Sequence, residues 1–237
     1  MRRTVATELL DSDLGTPEEI EASLADLRRI NRYFGGVATA CSMLQRVLEH
    51  KSQLLDSPDD GRCFLLLDVG SGAGYVPLAV AHQLRTQAVK LRLVLVDRSS
   101  RHLPRSSCSS AVSVAADALA LPFGDRCVDV VSCALFAHHL EPDEIVCFVN
   151  EALRVARSAV LINDLRRSWL HLAAVYAGFP LYRSRLTRHD APASVRRAYT
   201  PDELEAILKR TRAHRIEIRN HYFFRMGAIA WKSQATT

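Results

Sequence analysis

The sequence predicts an α/β fold in which a seven-stranded, mostly parallel sheet carries helices on both faces and ends in an antiparallel hairpin. Three observations carry this. From residue 63 onward, short apolar runs of strand length alternate with helical patterns, the rhythm of a parallel sheet covered on both sides. The first of these runs breaks at a glycine-rich turn that opens a helix. The last two lie only a few residues apart, which suits antiparallel pairing at a sheet edge. Of the 237 residues, 48% are hydrophobic and 24% charged, a globular balance with enough apolar material for a core.

The elements follow in order. Pro17 with Glu18, Glu19 and Glu21 is an acidic helix start that complements the helix dipole. Leu24, Leu27 and Ile30 then repeat at helical spacing, Gly35-Gly36 interrupts, and Val37, Cys41, Leu44, Val47 and Leu48 resume the pattern. Two helices are therefore expected before the main domain, as an extension over residues 1–60 with the domain proper at 61–237. Ser57-Pro58-Asp59-Asp60-Gly61 reads as a turn between them.

Strands are expected at Cys63 to Val69, Leu91 to Val96, Val112 to Ala115, Val128 to Cys133 and Ala159 to Ile162, with helices at Pro77 to Arg85 and Asp143 to Ala156. Residues 166–198 interrupt this rhythm with an insert rich in arginine and aromatic residues. Thr200-Pro201-Asp202-Glu203 then starts a helix, with Thr200 as N-cap, proline at the first helical position and Glu203 completing a capping box. Arg215 to Asn220 and Met226 to Trp231 form the closing hairpin.

A net charge of +5 and a pI near 9.0 are compatible with an anionic partner and prove none. The six cysteines (Cys41, Cys63, Cys108, Cys127, Cys133 and Cys147) form neither CxxC pairs nor zinc-finger spacings, so free thiols in a cytoplasmic chain are expected and no metal site is. Two N-terminal arginines lack an apolar stretch behind them, so no secretory leader is expected. The apolar runs are too short to span a bilayer.

The sharpest signal is LLLDVGSGAGYVPLAVA, Leu65 to Ala81. A strand ends at Asp68-Val69, and Gly70, Gly72 and Gly74 bend the chain into a helix where open α/β sheets bind ligands. A dinucleotide fingerprint needs GxGxxG, but Tyr75 stands where its last glycine belongs. The motif instead opens with a carboxylate, which repels a pyrophosphate and attracts a ligand bearing an amino group and a sulfonium. Asp97 ends the next strand, about one βαβ unit on, where a carboxylate can accept both ribose hydroxyls. Asp117, after the third strand, can reach an adenine amino group or equally cap a local turn.

DVGSGAG, VLVDRSS and AADALALPFGDRCVDVVSCAL resemble the successive motifs of class I S-adenosylmethionine-dependent methyltransferases, over roughly residues 60–165. The resemblance implies a Rossmann-like sheet. It also implies cofactor contacts from Asp68, Gly70, Ser71, Gly72, Gly74, Asp97, Arg98, Asp117, Ala118 and Ala134. ALFAHHLEPDEI, RSAVLINDLRRSWL and DLRRINRYFGG resemble bacterial small-molecule members of this group, linked to polyketide, phenolic or quinone-like products of secondary metabolism.

After the fourth strand, nucleic-acid amino-methyltransferases resemble one another through an Asn/Asp-Pro-Pro-aromatic box, and cytosine C5 enzymes carry Pro-Cys. Here Ser132 to His139 reads SCALFAHH, with no proline before Cys133, so nucleic acid is not the favoured acceptor. The expected acceptor is a small, largely hydrophobic molecule methylated on oxygen or carbon. For a phenol of pKa near ~10, a neutral histidine can serve as base, and His138 or His139 is the candidate beside the alternative of a structural pair. Residues 164–199 are the expected acceptor cover. Trp169 and Tyr176 supply apolar surface there, and Arg166, Arg167, Arg183, Arg185, Arg188, Arg196 and Arg197 rim it. The same insert can instead be plain packing, or touch a membrane surface peripherally. An RNA or protein methyltransferase and a non-catalytic binding module are the rival readings.

Overall fold

The strands are Phe64–Val69 (β1), Leu91–Asp97 (β2), Ala111–Ala115 (β3), Val128–Ala134 (β4), Ala156–Leu165 (β5), Arg215–His221 (β6) and Arg225–Trp231 (β7). They form one sheet in the order β3-β2-β1-β4-β5-β7-β6. The computed structural model describes residues 1–10, 15–54, 63–86, 89–104 and 111–233. The turn expected at Ser57–Gly61 and Cys108 lie outside them. Strands β1 to β5 pair in parallel, as expected, and β7 runs antiparallel to both β5 and β6.

The closing hairpin is present, with β6 rather than β7 at the edge. The composition explains the choice. Every residue of β7 is buried, and MGAIAW is apolar on both faces as an inner strand requires, whereas β6 alternates charged and apolar residues. Strand β5 is longer than expected at both ends, because Ala156 pairs with Val128 of β4 and Asn163 and Asp164 pair with Gly227 and Met226 of β7.

Seven helices occur among the described residues: Pro17–Tyr33 (α1), Gly36–Leu54 (α2), Tyr75–Arg85 (α3), Pro142–Val155 (α4), Trp169–Ala177 (α5), Arg185–Arg197 (α6) and Pro201–Leu208 (α7). The capping box expected at α7 forms: Thr200 Oγ1 accepts the Glu203 N–H at 3.3 Å, and Glu203 Oε2 accepts the Thr200 N–H at 2.9 Å. Thr16 and Glu19 make the same box at α1.

Side-chain alternation along the strands divides the core in two. On one face Leu66, Leu93 and Leu161 pack with Leu44 and Val47 of α2 and Val80 and Leu84 of α3. On the other, Leu67, Val131 and Val160 pack with Ile145 and Phe148 of α4 and Leu204 of α7. Helix α2 is thus part of the core. Helix α1 anchors the insert instead: the buried Asp26 carboxylate accepts the Arg183 and Ser184 N–H groups at 2.8 and 3.1 Å, at the start of α6. No helix among the described residues is long and apolar enough to cross a membrane.

Candidate functional site

The sheet order reverses direction between β1 and β4, so the loops leaving these strands part and open a crevice at their carboxyl ends. Asp68, Asp97, Ala134 and Asp164 all stand at that edge, because the strands bearing them are parallel.

The loop Gly70–Gly74 lines the crevice. Gly72 has φ +49°, a left-handed value that suits glycine, and a Cβ built there meets nothing within 4 Å. A Cβ on Gly70 would instead lie 2.6 Å from the Phe136 ring. The side of Gly72 where a Cβ would stand is therefore open, so a ligand can approach the backbone there, while Gly70 is needed for contact within the protein. Ser71 ties the loop to β2, its N–H donating to the Val96 carbonyl at 3.0 Å.

Asp97 holds the same loop. Its Oδ2 accepts the Gly72 N–H at 2.9 Å and its Oδ1 the Ser99 N–H at 3.0 Å, with His102 Nδ1 at 3.7 Å. Burial would raise its pKa, but the bonds from His102, Ser99 and Gly72 outweigh burial and keep the carboxyl below its usual value. Sequence reasoning missed His102, which follows the motif by only a turn.

Asp68 is buried deeper. Burial pushes its pKa up to about 7, against the lowering effect of the Ser132 Oγ, which donates to Asp68 Oδ1 at 2.5 Å. The pairing of β1 with β4 sets Asp68 directly beside Ser132, a partnership that sequence order hides. Ala40, Met43 and Leu44 of α2 close over this end of the sheet and line a pocket with Asp68, Ser132 and Asn163. The buried Oδ1 of Asn163 has no hydrogen-bond partner among the described residues, while its Nδ2 donates to the Gly36 carbonyl at 2.8 Å.

Of the other expected contacts, Ala134 ends β4 beside Asn163, and the chain then turns out through Leu135 at φ +56°. Such a non-glycine outlier beside a ligand edge is the kind of strain that functional sites store. Arg98 is exposed just beyond β2. Asp117, also exposed, accepts the Leu119 N–H on its Oδ1 at 2.9 Å, a turn-capping bond; Ala118 follows in that turn.

The two candidate histidines stand together in one cluster with Glu8. The His138 ring is buried in the single turn Ala137–His139, with Nδ1 2.7 Å from Asp164 Oδ1 and Nε2 3.5 Å from Glu8 Oε1. Burial would lower its pKa, but Asp164 and then Glu8 overcome burial and lift it to about 9. His139 belongs to the same cluster, its Nε2 3.9 Å from Glu8 Oε2 and its ring centroid 4.2 Å from that of His138.

The insert forms α5 and α6. Arg167 does not rim a pocket: it is buried and donates to the Met1 and Ala198 carbonyls and to Glu203 Oε1. Arg197 donates to the His139 carbonyl and Arg196 to the Tyr176 hydroxyl. Helix α5 packs inward through Leu172 and Val175, leaving Trp169 69% exposed and Tyr176 45% exposed.

Comparison with known proteins agrees with this geometry. Residues 67–162 match the family model of a methyltransferase domain. No curated protein matches the chain. Among solved structures, a plantazolicin methyltransferase, in complex with a monoazolic desmethyl analogue and S-adenosylhomocysteine, superposes with TM-score 0.64 at 14% identity over 95% of both chains. A SAM-dependent methyltransferase from Aquifex aeolicus gives 0.55 at 18% identity, over 80% of this chain and 89% of its own. Magnesium protoporphyrin IX methyltransferase from Synechocystis PCC 6803, with bound S-adenosylhomocysteine, gives 0.53 at 14% over 84% of each. At such identities these likenesses establish the fold.

Proposed function

We propose that the chain, whose residues 67–162 match a methyltransferase domain and whose fold is that of S-adenosylmethionine-dependent methyltransferases, methylates a small, largely hydrophobic acceptor, phenolic, polyketide or quinone-like, on oxygen or carbon. The observation that supports the cofactor assignment is the open backbone at Gly72, held by Asp97 at the crevice edge where Asp68 also stands. Residues of these types fit the cofactor. Gly72 gives close backbone approach, Asp97 the ribose acceptor, and Asp68 a negative charge for the cationic amino-acid end. Asp117 and Ala118 would stand at the adenine end, with Arg98 beside the ribose.

When bound, the cofactor supplies a methyl group activated by its sulfonium. What remains for the protein is to align the acceptor and exclude water. Ala40, Met43 and Leu44 provide an apolar wall above the polar strand ends, and this supports an acceptor with a hydrophobic body. The nearby insert, with its exposed Trp169, Leu170 and Leu181, supplies further apolar surface for such a molecule. The test is transfer of labelled methyl from the cofactor to a panel of phenols, pyrones and quinols, beside RNA and protein controls. Transfer to RNA or protein alone would replace this reading with the macromolecular one. Cofactor binding without transfer to any of them would favour a binding module.

A further inference from the structure

Glu8, near the N-terminus, and His138 and His139, in the middle of the chain, are brought together, and the methyl-transfer reading above uses none of them. Their ligand atoms, one carboxylate oxygen and two ring nitrogens, all lie within 4.8 Å of one another. The geometry points to a divalent transition-metal site made of Glu8 Oε1 or Oε2, His138 Nε2 and His139 Nε2, at the carboxyl edge of β4 and β5.

Glu8 is held in place although it lies near the N-terminus. The Thr4 N–H donates to the Arg196 carbonyl at 3.1 Å, Arg3 Nη1 meets Glu141 at 2.9 Å, and the Leu9 and Leu10 N–H groups share the Asp190 carboxylate at 2.8 and 3.0 Å. Ser194 Oγ donates to Glu8 Oε1 at 2.8 Å, which orients the carboxylate and leaves Oε2 to face His139. The segment is thus strapped to α6 on both sides of Glu8.

His138 has the outer partner that metal-ligating histidines require. Asp164 Oδ1 sits 2.7 Å from Nδ1, and Asp164 Oδ2 accepts the His138 backbone N–H at 2.9 Å. With Nδ1–H donated to a carboxylate, the ring plane is fixed and Nε2 is turned toward Glu8 as the ligand atom. That Nε2 is buried and makes no well-formed hydrogen bond, although Glu8 Oε1 is only 3.5 Å away. A lone pair facing a carboxylate at that distance is repulsive unless a cation lies between. A proton or a metal ion can fill the place.

The spacing favours a metal as a filler of all three positions. Metal–ligand bonds of ~2.1 Å in tetrahedral array separate ligand atoms by ~3.4 Å. His138 Nε2 lies 3.5 Å from Glu8 Oε1 and His139 Nε2 3.9 Å from Glu8 Oε2, and with one ligand atom per residue all three lie within 4.8 Å, a spread that a small movement of the side chains closes around an ion. A single proton can bridge one such pair, whereas an ion draws on all three. Charge agrees as well, because Glu8 and Asp164 are buried carboxylates and a divalent ion with neutral imidazoles balances both. Two imidazole nitrogens and one oxygen suit zinc, iron, cobalt or nickel better than magnesium or calcium. Three protein ligands leave a coordination position for an exchangeable molecule. The sequence gives no hint of this site, since Glu8 stands 130 positions from His138.

The test uses the full chain without an affinity tag, stripped with chelator and titrated with Co²⁺ and then Zn²⁺ alone. Calorimetry should give one site per chain. The Co²⁺ form should show visible d–d absorption without a thiolate charge-transfer band. His139→Ala, at a partly exposed position, should keep the circular dichroism of the parent. It should weaken binding by more than the ~10–100-fold that loss of an outer partner costs, and Glu8→Gln should do the same. Absence of stoichiometric binding, a thiolate band, or equal affinity in folded His139→Ala would overturn the site. In the first case the cluster is an imidazolium–carboxylate ion pair. Methyl transfer is not read in this experiment, so its outcome is separate from the function proposed above.

Discussion

The Asp97 carboxylate accepts the Gly72 N–H at 2.9 Å across 25 residues of sequence, so the acidic end of β2 holds the glycine loop at the end of β1. One side chain therefore shapes the loop, and in the proposed function it would also offer its lone pairs to a ribose. Asp97→Ala orphans the Gly72 and Ser99 N–H groups as well as any hydroxyl they help to position, at about 1–3 kcal/mol for each buried donor left unpaired. Calorimetric affinity for S-adenosylmethionine should fall clearly, with a smaller drop in melting temperature. Unchanged affinity would remove Asp97 from the site.

The two faces of the glycine loop should separate binding from folding. Gly72→Val places its side chain in open space, so the protein should fold, with a left-handed penalty of ~1–2 kcal/mol, and lose cofactor binding. Gly70→Ala drives a methyl to 2.6 Å from the Phe136 ring and should lose more stability than Gly72→Ala. Thermal melts with and without cofactor measure both. Normal cofactor shifts in Gly72→Val would mean that the ligand lies elsewhere.

Asp68 should make cofactor affinity depend on pH. Burial lifts its pKa to about 7, so near neutrality the free protein is a mixture of acid and carboxylate. A cationic ligand favours the carboxylate and binds with loss of a proton. Affinity should therefore fall as pH drops from 8 to 6, by at most about tenfold per unit. Calorimetry in buffers of different ionisation enthalpy counts the proton released. Asp68→Asn should bind weakly and without this slope, and a flat profile in the parent protein would sink the assignment.

His171 should make stability depend on pH. Burial pushes its pKa down from 6.5 to about 4, and its Nδ1 donates to the Arg166 carbonyl at 3.0 Å while the ring stacks on Phe224. Between those values the unfolded chain binds a proton that the folded one refuses. This contribution to stability is complete above pH 6.5 and is lost as pH falls toward 4, to an extent of up to about 3 kcal/mol. Melting curves from pH 7 to pH 5 should decline less steeply in His171→Gln than in the parent. Parallel curves would show that His171 charges freely in the fold.

What the sequence disclosed and what it hid follow a physical division. The Gly70–Gly74 loop, the Thr200 cap and the strand–helix rhythm are local, because each rests on spacing within a turn or a strand. Asp68 beside Ser132, β7 against β5, and Glu8 against His138 depend on pairings over 60 residues or more, which no local pattern encodes. Arg167 misled because a charged residue in an arginine-rich stretch reads as surface. It is buried by three oxygen partners that come from Met1, Ala198 and Glu203.

The insert gives the last prediction. Trp169 and Tyr176 lie seven residues apart on α5 and both are exposed, whereas Leu172 and Val175 hold the helix to the molecule. Changing the exposed pair should therefore cost little stability, as surface substitutions away from special contacts do. Tyr176 does make contacts, since its ring centroid lies 5.1 Å from that of Phe179 and its hydroxyl accepts from Arg196 at 2.6 Å, and Tyr176→Phe separates that bond from the ring surface. If these rings cover a hydrophobic acceptor, Trp169→Ala with Tyr176→Ala should leave S-adenosylmethionine affinity intact and raise the acceptor KM or lower kcat/KM. Arg166, whose guanidinium lies 5.9 Å from the Phe224 ring, should matter more for acidic acceptors than for neutral analogues when changed to alanine. Steady-state kinetics on the first acceptor found in the methyl-transfer panel decides the matter. Normal turnover by the double variant would show that the insert is packing on α1 and that the acceptor is covered by another part of the chain.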